Sequence, residues 1–77
     1  MNNLKTLMAD TVNEELIEKL DASIHYVVVR DRGFGAKFDN EMTAINVFFK
    51  KGWRCINITV ATSGSVWEMF ALLEHQI

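Results

Sequence analysis

The segment Cys55-Ile56-Asn57-Ile58-Thr59-Val60-Ala61-Thr62-Ser63-Gly64-Ser65-Val66-Trp67-Glu68-Met69-Phe70-Ala71-Leu72-Leu73 decides the fold. Its first half alternates. Ile56, Ile58 and Val60 fall on one side, and Cys55, Asn57, Thr59 and Ala61 on the other, which is the two-residue period of a strand. Thr62-Ser63-Gly64-Ser65 reads as a hairpin turn, with Gly64 able to take positive φ. Alternation resumes over 66–75: Val66, Phe70 and Leu72 share a side with Glu68 and Glu74, while Trp67, Met69, Ala71 and Leu73 share the other with His75.

Working outward, residues 24–31 (Ile24-His25-Tyr26-Val27-Val28-Val29-Arg30-Asp31) are rich in β-branched side chains and read as a strand. Both of its faces are largely apolar, so it is expected to be covered on two sides. After Gly33-Phe34-Gly35 a helix begins near Asp39 or Asn40, with Glu41 in the first turn favouring the helix dipole. Met42, Ile45, Phe48 and Phe49 are its apolar stripe, Lys50 and Lys51 suit its C-terminus, and Gly52 suits the left-handed position beyond it. Residues 2–21 repeat Leu4, Leu7, Met8, Val12, Leu16, Ile17 and Leu20 at helical spacing. This is either one helix or a short helix followed by a firmer one at 12–21, with Thr11 and Glu14 as a capping box or Asp10 as the cap. Glu15 and Lys19 stand four apart and can pair.

The expected fold is therefore α+β. One domain spans 1–77, with a helical segment at 1–22 and a β-α-β-β core at 23–77. The three strands form an antiparallel sheet in the order 1-3-2, packed on one face by the 40–51 helix. The N-terminal helix covers the rest or reaches a neighbouring chain.

Composition sets the outer limits. The chain has 77 residues, 10 acidic and 8 basic side chains, one cysteine and no proline. A hydrophobic fraction of 49% is too high for a disordered chain of low net charge. A net charge of −2 and a pI near 5.5 argue against holding nucleic acid by bulk electrostatics. One cysteine excludes an internal disulfide framework and a cysteine-rich zinc site. No run of 18 apolar residues spans a membrane, and the N-terminus is not that of a secretory signal. A free thiol without a signal fits the reducing cytoplasm. A domain this small has a thin stability margin, and self-association is the expected helper.

Three pieces carry a resemblance: the strand Tyr26-Val27-Val28-Val29, the helix ending in Lys51-Gly52-Trp53, and the hairpin from Ile56 to Leu73. Together they resemble a family of small bacterial and phage domains of unknown function, with strand–helix–strand–strand order. That family carries Gly-Trp-Glu where its helix enters the next strand, and here Arg54 replaces the glutamate. Its usual ending, an aromatic strand closing in a basic residue, is echoed by Phe70 and His75. The resemblance covers residues 24–75 and implies a fold without an activity. In architecture alone the order is also similar to that of dodecins, flavin-binding proteins that form hollow shells and stack a second-strand tryptophan on the flavin. Trp53 lies slightly early for that role.

Each candidate site has a plain structural alternative. Gly33-Phe34-Gly35 lacks the third glycine of a dinucleotide fingerprint and the Gly-Lys-Ser/Thr of a P-loop, and reads as a turn. Phe34 is either a plug into the core or an interface anchor. Trp53 and Trp67 either pack in the core or serve as a stacking platform for a flat ring or as a dimer anchor. If the helix packs on the Ile56/Ile58/Val60 side, Trp67, Met69 and Leu73 form an apolar patch on the opposite face. The interaction candidates are thus Phe34, Trp53, Trp67, Met69 and Leu73. His25 can approach His75 with Glu74 nearby, yet a third metal ligand is missing. Cys55 follows Arg54, whose charge can lower a thiol pKa, but reads as structural. Asp31 and Asp39 flank the glycine loop, whereas Glu68 and Glu74 lie about 20 Å apart on one strand face and cannot act together. Six of the 8 basic residues, Arg30, Arg32, Lys37, Lys50, Lys51 and Arg54, fall between 30 and 54 among Phe34, Phe38 and Trp53. That composition suits single-stranded nucleic acid, although the interleaved Asp31, Asp39 and Glu41 favour a solvated surface.

The expected function is a non-catalytic interaction or regulatory module that forms a homo-oligomer and docks on a protein partner. In a phage or mobile element such a module would inhibit a host enzyme. The alternatives are a flavin-like ligand binder using Trp53 or Trp67, and a weak single-strand nucleic-acid binder using the basic segment. No catalytic group, cofactor or metal site is expected.

Overall fold

A computed structural model describes residues 4–34 and 39–75. The elements run β1 (Leu4–Met8), a single 3-10 turn (Ala9–Thr11), α1 (Glu14–Glu18), β2 (Tyr26–Phe34), α2 (Asp39–Lys50), β3 (Trp53–Ser63) and β4 (Val66–His75). The four strands form one sheet in the order β1-β2-β4-β3. β4 is antiparallel to both β2 and β3, and β1 is parallel to β2.

The hairpin forms where its turn chemistry puts it, with Gly64 at φ 63°. α2 ends as its signals demand. Lys51 and Gly52 donate their amides to the carbonyls of Phe48 and Phe49, and Gly52 takes φ 86°. β2 lies between β1 and β4 in the plane of the sheet, but it is covered on one face and not on the expected two: Val27 and Val29 are buried, while Tyr26 and Val28 face away from the helices.

The N-terminal segment departs from the expected helix, and with it the expected three-stranded antiparallel sheet. Leu4–Met8 is a strand that runs alongside Tyr26–Arg30 in parallel register, so the sheet has four strands and is mixed. The Leu4/Leu7/Met8 spacing fits a helix, but the open edge of β2 offers backbone partners that a five-residue helix cannot match. The helical signal is real only further on. Asn13, rather than Asp10 or Thr11, caps α1, its Oδ1 accepting the Leu16 amide at 2.8 Å. The Glu15–Lys19 pair forms at 2.7 Å.

Both helices and the 3-10 turn pack on one face of the sheet. The core there joins Leu7, Ala9, Ile17, Val27, Val29, Ala44, Ile45, Phe48, Trp53, Ala71 and Leu73. Lys51 reaches Glu18 at 2.9 Å and ties the end of α2 to α1. A β-bulge between Cys55 and Asn57 changes the phase of β3. Cys55 stands opposite Leu73, Ile58 opposite Ala71, and Val60 opposite Met69, so all three share the helix side. The turn sets Ser63 against Val66, so the two faces expected to be opposed are one and the same. Ile58 and Val60 lie on the same face as Trp67, Met69 and Leu73, but they stay exposed at its β3 side while those three are buried.

Gly33 stands opposite Trp67, and a Cβ built on it would lie 2.9 Å from the indole ring. Gly33→Ala is expected to destabilise the fold by about 1–3 kcal/mol through overpacking, measured by urea unfolding.

Candidate functional site

The strand pattern of β2 and β4 places Tyr26, Val28, Arg30 and Arg32 beside Glu68, Phe70, Leu72 and Glu74 on the face away from the helices. Val28 stands directly opposite Leu72, and Arg30 opposite Phe70. None of these eight side chains is buried. On β1, Leu4 and Met8 share this face and are each 41% exposed. Two ion pairs and a cation–π contact organise the surface. Arg30 lies 3.5 Å from Glu68 and 5.3 Å above the Phe70 ring, and Arg54 lies 2.9 Å from Glu74. The result is a hydrophobic strip, Leu4, Met8, Tyr26, Val28, Phe70 and Leu72, with charges of both signs along it.

The interaction candidates distribute unevenly. Phe34 is 75% exposed at the end of β2, as an interface anchor would be. Trp53, Trp67, Met69 and Leu73 are buried within the chain. The patch expected from Trp67, Met69 and Leu73 does not exist: all three side chains are buried, Leu73 in the core beneath α2. Trp53 is also unsuited to stack on a flat ligand. His75 already stacks on it at 4.8 Å, and the Phe48 ring meets it edge-on at 5.2 Å. The apolar face that does stay open is made of side chains from the opposite phase of β2 and β4.

The basic cluster is dispersed. Arg30, Lys51 and Arg54 each hold a carboxylate, Arg32 and Lys50 are exposed, and Lys37 lies outside the described residues. Paired in this way the segment presents no uniform positive field to a phosphate backbone. His75 donates its backbone amide to the His25 carbonyl at 3.0 Å, so the two histidines are neighbours as strand ends. Among the described residues, no three His, Cys, Asp or Glu side chains are grouped to hold a metal. Arg54 points its charge at Glu74 rather than at Cys55. Burial above all, with the Glu41 charge adding to it, pushes the Cys55 thiol up, and its Sγ donates to the Asn57 carbonyl at 3.5 Å. It is not an activated nucleophile.

One group was invisible to sequence reasoning. Glu41 is fully buried, and neither Oε1 nor Oε2 has a hydrogen-bond partner. It belongs to the inward stripe Glu41, Ala44, Ile45 and Phe48, while the expected stripe members Met42 and Phe49 are exposed. The spacing i, i+3, i+4, i+7 was present in the sequence, but a glutamate in a first turn reads as a solvent-facing dipole partner. Burial, reinforced by the Asp31 charge, pushes the Glu41 carboxyl up to about 7. A carboxyl sealed from solvent touches no substrate, so its raised pKa bears on stability.

The chain matches no protein-family model, and neither a curated protein nor a solved structure matches it. Among the described residues, no helix is long and apolar enough to cross a membrane.

Between pH 4.5 and about 7 the unfolded chain has released the Glu41 proton and the folded chain still holds it. Stability contributed by Glu41 is therefore fully present below 4.5 and lost as pH rises to about 7. The loss is on the order of 3 kcal/mol. Glu41→Gln is expected to flatten that dependence, and Glu41→Met to raise stability above pH 7 by about 1–4 kcal/mol. Denaturant midpoints across the pH series measure both.

Proposed function

We propose that this chain is a non-catalytic interaction module that self-associates through its sheet and docks a protein partner on the open sheet face. The carrying observation is that face itself: four strands wide, free of buried side chains, and bearing Leu4, Met8, Tyr26, Val28, Phe70 and Leu72. Apolar strips rimmed by charge mark protein contact surfaces. Phe34 at the end of β2, 75% exposed, extends the same face as an aromatic anchor. The alternating ion pairs Arg30–Glu68 and Arg54–Glu74 favour a partner surface of mixed charge over a polyanion.

Ligand binding draws less support. Both tryptophans are enclosed by the chain's own side chains, and an indole committed to internal packing has no face to offer a flavin.

Native mass spectrometry of gently purified protein, with sedimentation velocity over a concentration series, tests the proposal. The expected result is a homo-oligomer of the bare chain. A strict monomer at every concentration would overturn it, and so would a discrete retained small-molecule mass.

A further inference from the structure

We propose that the chain dimerises by pairing β3 with the β3 of a second copy, antiparallel and centred on Val60. This rests on the self-association just proposed and names its geometry.

β3 is the last strand of the sheet and pairs only with β4, so among the described elements nothing meets its outer backbone edge. Unpaired edges template further pairing, and proteins blunt them with short length, proline, charge or bulges. β1, the opposite edge, follows that rule with five residues and Lys5 among them. β3 does not. It has 11 residues and no proline, and its single charge is Arg54. Its bulge sits near its start, between Cys55 and Asn57, and pairing with β4 is regular from Asn57 to Ser63. No charged residue occurs from Cys55 through Trp67. On the helix side of this run, Ile58 and Val60 stand clear of α2 at 42% and 45% exposure.

A second copy fits this edge for reasons of register and charge. The midpoint of the regular run 57–63 is Val60. Antiparallel apposition about it sets Val60 against Val60, Ile58 against Thr62, Thr59 against Ala61, and Asn57 against Ser63. Ile58 and Val60 from both copies then share one face and cover one another. No like charges meet, since the two Arg54 side chains are carried to opposite ends, about 40 Å apart. The contact is isologous and closes at two copies, which protects the edge from continued strand addition. The two four-stranded sheets become one continuous sheet with a doubled open face.

The test uses the full chain with Val60→Lys and Val60→Glu. Val60 is exposed, so both variants are expected to keep the parent's circular dichroism spectrum. Each alone is expected to weaken self-association by about tenfold or more, because two like charges meet at the axis. Mixing the two is expected to restore a mixed dimer by sedimentation, with slowed deuterium exchange of the 57–63 amides. If both variants associate as the parent does while Leu72→Lys on the open face abolishes association, the edge pairing is wrong and self-association through the sheet stands. If the parent is itself monomeric, both proposals fail.

Discussion

A helix of twelve residues spans about 18 Å, and a strand of eleven about 36 Å. That mismatch governs this molecule. One helix of that length, helped by a single short turn of α1, can cover part of one sheet face and no more. α2 is spent over Val27, Val29, Ala71 and Leu73, where Ala44, Ile45 and Phe48 fill the space above the sheet. Two surfaces are left over: the whole far face, and the outlying half of β3. Among the described residues no further element covers either. Their composition, apolar with balanced charge on the face and apolar without charge on the edge, is where any association of this chain has to be sought.

Much of the fold was legible in the sequence because its signals were local. The hairpin at Gly64, the α2 stop at Gly52 and the valine-rich β2 each depend on residues within a few positions. Two features depended on distant partners. Leu4–Met8 has a helical spacing, and only the open edge of β2, some twenty residues away, makes it a strand. The bulge between Cys55 and Asn57 is silent in the alternation, because Ile56, Ile58 and Val60 look continuous until β4 sets their register. The relation between Ile58 and Trp67 is set at the other end of β3: the turn places Ser63 against Val66, which carries Ile58 and Val60 to the side of Trp67 and Met69 and leaves Tyr26, Val28, Phe70 and Leu72 as the open apolar face, while the bulge shifts only Trp53, Arg54 and Cys55. Phe34 alone among the interaction candidates sits where an anchor would.

Glu41 shows a local rule overruled by packing. A carboxylate in the first turn of a helix is ordinarily a solvated complement to the dipole. Here the same residue occupies the first position of the inward stripe, without a hydrogen-bond partner and coupled to Asp31. A hydrophobic residue in that place would make a more stable core, so the packing of α2 against the sheet is held below its attainable strength.

The central position of β4 has a consequence for how the domain comes into being. β4 is the last strand in chain order and the neighbour of both β2 and β3, which do not touch each other in the sheet. During synthesis, β2 can pair with β1 at once, but its other edge stays bare until residues 66–75 leave the ribosome. α2 has no complete surface to settle on before then. The sheet therefore cannot be completed in chain order: the joining of β2 to β3 waits for β4, whose hairpin with β3 is the most local strand pairing in the sheet.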